Sequence, residues 1–325
     1  MRRVLGVLVA TMAWSGCVLV VGSPLGFMGR DRAPLEEVKI EGEGRDKILL
    51  VDVSGIITDM PTQRAFGLVE EDSTVSRVEA ELTKAAEDDA VRGVVVHVRS
   101  PGGGVTASDD LYRQLKRFRD EEQVPVIAAL GGVAASGGYY LACAADRIVA
   151  HPTTVTGSIG VIMTSLEIDG LLGKIGVRDA TVKAGRLKDA GSPLRRATPE
   201  ERAILQALVD GMHRRFKDVV RTGRSLDDSR LAEVSDGRVF DADAALRLGL
   251  VDEVGDLRAA VEVAKKRAGL ERATLVRYRR AGEAADTLHA RWQGPADAMP
   301  WVSELSLLRA AGPKFMYLWA PTIGD

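Results

Sequence analysis

From Ile48 onward, short and almost wholly apolar runs alternate with longer stretches in which apolar residues recur every three or four positions. ILLVDVSGII (48–57), VRGVVVHV (91–98), VPVIAAL (124–130) and DRIVAHP (146–152) read as strands. Their near-continuous apolarity is that of a sheet covered on both faces. Between them, 74–88 and 106–121 carry helical spacing, and a short helix follows Gly131-Gly132. Strand, helix, strand, helix predicts an α/β fold with parallel pairing. Further on, 198–221 reads as a long amphipathic helix, with Thr198 as N-cap and Glu201 at the capping-box position. Residues 240–255 read as a short helix and a turn into a strand, and 256–269 as a helix closed by Gly269. The chain carries one copy of this unit and no internal repeat. Its last fifty-odd residues are less regular and end in FMYLW (315–319), an apolar run that requires burial. A neighbouring chain, lipid and a substrate groove are all open places for it.

The N-terminus adds a second element. Arg2 and Arg3 precede a charge-free run from Val4 to Met28. Its first part, Val4 to Val21, makes about 27 Å of helix at 1.5 Å per residue, close to a bilayer core of about 30 Å. A cleaved signal peptide has a shorter apolar region, so the length favours an uncleaved transmembrane anchor. Cleavage or lipidation at Cys17, in WSGC (14–17), stays open. The paired arginines favour a cytoplasmic N-terminus and an exported body. Residues 29–46, with Pro34, Gly42 and Gly44, read as a linker. The expected organisation is an anchor at 1–28, a linker at 29–46, a main domain at 47–268 and a C-terminal extension at 269–325.

Composition narrows the chemistry. With 325 residues, 46% hydrophobic, the chain has enough apolar material for a sizeable core. A formal net charge of -2 and 5% aromatics argue against a nucleic-acid surface. Cys17 and Cys143 make no disulfide framework, and His97, His151, His213 and His289 show no ligand spacing. No metal and no cofactor are expected. Cys143 reads as a buried core thiol.

Two glycine-rich turns remain. SPGGG (100–104) follows a buried strand and allows backbone conformations that aim N–H groups into a cleft, as an oxyanion hole requires. Alone it is a plain strand-to-helix turn. Ser136, in VAASGGYYLA (133–142), follows a strand, precedes a helix and has only small neighbours. That suits either a nucleophile approached closely by a substrate backbone or a helix cap. A nucleophilic serine needs a base, and no histidine stands in a motif-like context. A lysine serves if burial lowers its pKa by several units. KAGRLKDAGSP (183–193) offers Lys183 and Lys188, with Asp189 an awkward neighbour for an amine that must be neutral. Ser158, between Gly157 and Gly160, either orients that amine or serves as a turn residue.

In this order RSPGGGV (99–105), AASGGYYLA (134–142), VTGSIGV (155–161) and KAGRLKDAGSP (183–193), supported by GRVFDADAALRLGLVDEVG (237–255), resemble the signal peptide peptidase A family, also called protease IV. The resemblance covers roughly residues 47–268 and the anchor. It implies a Clp-protease/crotonase-like fold of repeated β-β-α units, behind an N-terminal transmembrane helix, and a Ser–Lys dyad. It implies Ser136 as nucleophile, Lys188 as general base, Gly103 and Gly137 as oxyanion-hole donors, and Ser158 as the residue that positions the lysine. One copy of the domain resembles the short form of the family, a homo-oligomeric ring in which Ser and Lys meet across a subunit boundary. The implied substrates are cleaved signal peptides and other apolar peptides at the cell (inner) membrane, with a single pass and the catalytic domain on the exported side. Arg99 and Asp241 depart from the family pattern. Two readings from other classes stand beside it: a crotonase-type acyl-CoA enzyme, which needs neither anchor nor Lys188, and a non-catalytic membrane scaffold.

Overall fold

The apolar runs become the parallel centre of one sheet. The structure, a computed structural model, describes residues 34–64, 69–280 and 314–319. The chain enters through β1 (Leu35–Gly42) and β2 (Lys47–Ser54), makes a short antiparallel pair of β3 (Thr62–Arg64) with β4 (Val69–Glu71), and continues into α1 (Thr74–Ala86). Then come β5 (Val91–Ser100), β6 (Gly102–Gly104) and α2 (Val105–Glu122), followed by β7 (Val126–Ala135) and α3 (Gly137–Ala142). After β8 (Arg147–Ala150) the chain forms β9 (Val155–Gly157), β10 (Ile162–Thr164) and α4 (Asp169–Lys174). The helices α5 (Pro199–Arg224) and α6 (Asp228–Val234) lead to β11 (Val239–Asp241), α7 (Ala242–Arg247), β12 (Glu253–Val254) and α8 (Leu257–Arg267). Last come β13 (Thr274–Arg280) and β14 (Lys314–Leu318).

The main sheet runs β1-β13-β2-β5-β7-β8-β12, with β9 on β7 and β11 on β9. The ladders from β13 to β12 are parallel, and those of β1 with β13 and β9 with β11 are antiparallel. Successive residues of β2 explain its apolarity. Leu49, Val51 and Val53 join the core under α1, α2, α3 and α5, while Ile48 and Leu50 pack towards α8 on the other face. All five are at most 1% exposed, and each such burial contributes roughly 1.5–3 kcal/mol. A smaller sheet, β10-β14-β6, is antiparallel throughout.

Two segments outside the expected main domain, 47–268, take part in its sheet. Within the expected linker, 29–46, residues 35–42 form β1, and the compact unit begins at Leu35. Within the expected C-terminal extension, 269–325, β13 lies between β1 and β2, with Leu275, Val276 and Tyr278 buried. The sheet needs both segments to cover the flank of β2. Charge hides β1: its sequence LEEVKIEG alternates as an edge strand does, with charges on the open side. The apolar run expected to anchor the chain, residues 1–28, lies outside the described residues. Among the described residues no helix is long and apolar enough to cross a membrane.

Candidate active site

Ser136 occupies the hinge between β7 and α3 with φ +51° and ψ −116°. A non-glycine residue held there is strained by about 1–3 kcal/mol. Strand, sharp turn and helix is also the arrangement that presents a nucleophile at the end of a sheet. Bonds on both sides hold the backbone in place: Ser136 N–H donates to the Gly157 carbonyl at 2.8 Å, and its carbonyl accepts from Tyr140 N–H at 2.8 Å. The hydroxyl has no such anchor. Ser136 is 1% exposed, yet among the described residues its Oγ has no hydrogen-bond partner. A buried hydroxyl left unpaired costs about 1–3 kcal/mol.

The small neighbours have steric reasons. A Cβ on Gly137 would stand 2.4 Å from Ser108 Oγ, and one on Gly138 would stand 2.8 Å from the Ser100 carbonyl. At Gly102, where φ is +106°, a Cβ would stand 1.9 Å from the Tyr317 carbonyl oxygen and 2.7 Å from Gly137 N. The two glycine-rich turns therefore touch. Gly102 carbonyl accepts from Ile57 N–H at 2.9 Å, and Gly104 N–H donates to the Ile57 carbonyl at 3.0 Å. Gly103, between them, turns its own N–H to the opposite edge of β6. Gly137 N–H belongs to the first turn of α3, where amides have no intrahelical acceptor.

Ser158 is brought alongside by the ladder of β7 with β9, in which Ala135 pairs with Gly157. Its φ is +49°, it is buried, and its N–H donates to the Arg238 carbonyl at 2.8 Å. It lines a cavity of about 350 Å³ together with Gly160, Asp210, His213, Asp236 and Leu318. Ser136, Gly137, Gly103 and Ser158 thus share one corner of the fold. Lys188 does not join them within the protomer. It lies exposed in the turns between α4 and α5, its N–H bonded to the Gly185 carbonyl at 3.1 Å. Asp189 is committed elsewhere. Its carboxylate accepts from Arg195 at 2.7 Å and from Lys183 at 2.5 Å, and these two cations hold it well below the usual carboxylate range. Arg195 also reaches Glu201 at 2.5 Å, at the start of α5.

The two departures from the family pattern have structural partners. The Arg99 guanidinium donates to Asp52 Oδ1 at 2.8 Å. Burial pushes the Asp52 carboxyl up, but Arg99 and the Ser54 hydroxyl outweigh it and hold it low. Asp241 caps α7, accepting from Ala244 N–H at 2.7 Å. Threonine at that position would cap equally well in kind. Sequence reasoning missed the aromatic group behind the site, in which Tyr112, Phe216 and Tyr317 pack around Tyr140 with ring centroids 5.0–5.5 Å away. Tyr139-Tyr140 and FMYLW were its only signals, and they stand far apart in the chain.

Comparison with known proteins bears on the fold and the family. The peptidase family S49 model matches residues 118–271, and the Clp protease model matches residues 58–156, in keeping with the α/β architecture and its mixed sheet. The chain is 38% identical to a protein of Enterococcus faecium that carries the name signal peptide peptidase SppA, over 80% of this chain and 76% of that one. It is 32% identical to the chloroplastic serine protease SPPA of Arabidopsis thaliana, over 73% of this chain and 35% of the relative. To Protease 4 of Salmonella typhi it is 31% identical, over 82% of this chain and 44% of the relative. Similarity that spans four-fifths of the sequence, on top of the matching architecture, places the chain in peptidase family S49, as a serine-type peptidase.

Proposed function

We propose that the chain is a membrane-anchored endopeptidase that uses Ser136 as nucleophile and Lys188 of a neighbouring copy as general base. The observation that carries this is the buried Ser136 Oγ, without a hydrogen-bond partner among the described residues, in a strained turn beside Gly103 and Gly137. In the first step the neutral Lys188 amine takes the Ser136 proton as Oγ attacks a peptide carbonyl. The N–H groups of Gly103 and Gly137 hold the oxyanion, a contribution of about 3–4 kcal/mol per donor. The lysine gives its proton to the leaving amine. Water, deprotonated by the same lysine, then releases the acyl group and restores the Ser136 hydroxyl. Ser158 orients the amine.

Several features support a base from another copy. Leu166, Leu171, Ile175, Val177, Val182 and Leu194 are exposed large apolar residues, and all lie on the stretch that carries Lys188 or just beside it. That is surface made to be covered. Most cations of that stretch are already paired within the protomer, Lys183 and Arg195 with Asp189, Arg186 with Glu200 and Arg196 with Asp169, so the apolar residues are what a partner would cover. A closed homo-oligomeric ring covers them. The charge-free run after Arg2 and Arg3 supports a single-pass anchor with the catalytic body on the exported side. An anchored peptidase facing the bilayer fits apolar substrates such as cleaved signal peptides. The test is hydrolysis of an apolar peptide by the full chain, by Ser136→Ala and by Lys188→Ala. Each substitution is expected to lower kcat by about a thousandfold or more. Retained activity in either overturns the dyad.

A further inference from the structure

The turn that carries Lys188 is tied to α5 by one arginine. Glycines bracket the turn, Gly185 with φ +96° and Gly191 with φ +82°. Between them Lys188 N–H donates to the Gly185 carbonyl and Ala190 N–H to the Leu187 carbonyl, each at 3.1 Å, and Ser192 N–H donates to the Asp189 carbonyl at 3.0 Å. Bonds this local shape a turn without fixing where it points. Arg195 supplies the outside hold. Its Nε donates to Asp189 Oδ2 at 2.8 Å and its Nη2 to Oδ1 at 2.7 Å, the two-pronged fit of a guanidinium to a carboxylate. Nη1 and Nη2 reach on to Glu201 at 3.0 Å and 2.5 Å. Glu201 is 2% exposed and also accepts from Thr198 N–H at 2.8 Å, so the far end of the clamp is fixed in the first turn of α5.

The same contacts dispose of a charge. A bare carboxylate beside Lys188 would favour the ammonium form, and the proposed base works as the neutral amine. Asp189 is not bare: Lys183 Nζ lies 2.5 Å from Oδ1, and Arg195 covers both oxygens. Lys183 and Arg195 against Asp189 and Glu201 leave no net charge. Arg195 is the member that touches both carboxylates, and a guanidinium does not give up its proton. The carboxylates stay ionised as well, Asp189 well below the usual carboxylate range and Glu201 at about 2. Of the other charges around the clamp, Arg186 pairs with Glu200 and Arg196 with Asp169. Asp179 feels the Asp189 charge and accepts from the Thr181 hydroxyl. The corner proposed to receive the amine holds Asp210, His213 and Asp236 beside Ser158, and Asp236 is paired with Arg238.

We propose that Arg195 is the positioning residue of the base: through Asp189 it fixes the Lys188 turn to α5, cancels the carboxylate beside the amine, and so sets the pH at which Lys188 becomes available to Ser136 of the next copy. This rests on the dyad proposed above. Arg195 acts through Asp189 and not on the substrate.

The test is the pH profile of kcat/KM for an apolar peptide, recorded on assembled particles of the full chain. Arg195→Gln leaves the clamp one charge negative, and the midpoint of the rise in activity should move up by about half to one pH unit. Asp189→Asn keeps the outline of the side chain and leaves the clamp one charge positive, so the midpoint should move down by a similar amount. The double variant restores neutrality and should bring the midpoint back close to that of the unaltered chain. Arg195→Lys keeps the charge and loses the fork, so its midpoint should hold while kcat falls. A role in folding alone lowers the plateau in every variant and moves no midpoint. That result, or shifts of one sign in both single variants, overturns the inference. If Arg195→Gln does not assemble, Asp189→Asn decides by itself, and an unmoved midpoint overturns the inference.

A second readout needs no hydrolysis. In Ser136→Ala particles, competitive acetylation by acetic anhydride at a series of pH values, mapped by mass at Lys188, reports when that amine is free. Arg195→Gln and Asp189→Asn should move this midpoint in opposite directions too. If they do while the unaltered chain cleaves no peptide, the peptidase reading falls and this inference stands. Cleavage that depends on Lys188, with midpoints that do not move, does the reverse.

Discussion

At Ser136 the chain spends conformational strain and an unpaired hydroxyl on the same residue, and seven positions later it makes the opposite choice. Cys143 is a free thiol at the end of α3, 3% exposed, and burial pushes it up to about 12. Only the thiolate reacts. At pH 8 the native chain should therefore leave Cys143 unmodified by iodoacetamide, whereas the urea-unfolded chain should be alkylated there; mass mapping of the peptide that contains Cys143 reads the difference. Modification of the native chain at the rate of a free thiol would show that the α3 end is open. Both residues were legible in the sequence as chemical types: Cys143 lies in an apolar helical run and Ser136 among glycines. The positive φ of Ser136 was not, because a strained conformation is imposed by partners such as Gly157 and Tyr140 that sequence spacing does not connect.

Among the elements, legibility followed periodicity and charge. The start of α5 is where the sequence puts it, with Thr198 Oγ1 accepting from Glu201 N–H at 3.2 Å and Glu201 accepting from Thr198 N–H at 2.8 Å. The capping box is a local device, so four residues announce it. The strands β1, β13 and β14 are settled by partners remote in sequence, and their own patterns are short or heavily charged. The capping box also ties the Lys188 stretch to α5 through Arg195, which bridges Asp189 and Glu201. Hydrogen bonds from Arg195 and from Thr198 hold the Glu201 carboxyl at about 2, below the value of about 4.3 it takes in an unfolded chain. The folded state then binds fewer protons, so this contribution to stability is whole above pH about 4.3 and is lost as pH falls through about 2. Glu201→Gln should lower the urea midpoint at pH 7, and the gap from the unaltered chain should close between pH about 4.3 and about 2. A gap that stays constant over that range would mean that Arg195 does not favour the charged form.

At the scale of the whole molecule, the two residues proposed to share one reaction do not meet within the protomer. Among the described residues Ser136 Oγ is buried without a partner, and Lys188 is exposed on a stretch whose apolar residues face outward. If each interface joins Ser136 of one copy to Lys188 of the next, two inactive variants must repair each other. In particles assembled from equal amounts of Ser136→Ala and Lys188→Ala, an interface is intact when one side keeps its serine and the other its lysine. With random assembly that is about a quarter of the interfaces, so co-refolded mixtures should recover about a quarter of the original activity, while each variant refolded alone stays inactive. Mixing without unfolding should recover less if the copies exchange slowly. A dyad formed within one protomer gives a different result, since no mixed particle would then contain a complete pair. Co-refolded mixtures of normal particle size and no activity would place the base in the same chain as the serine.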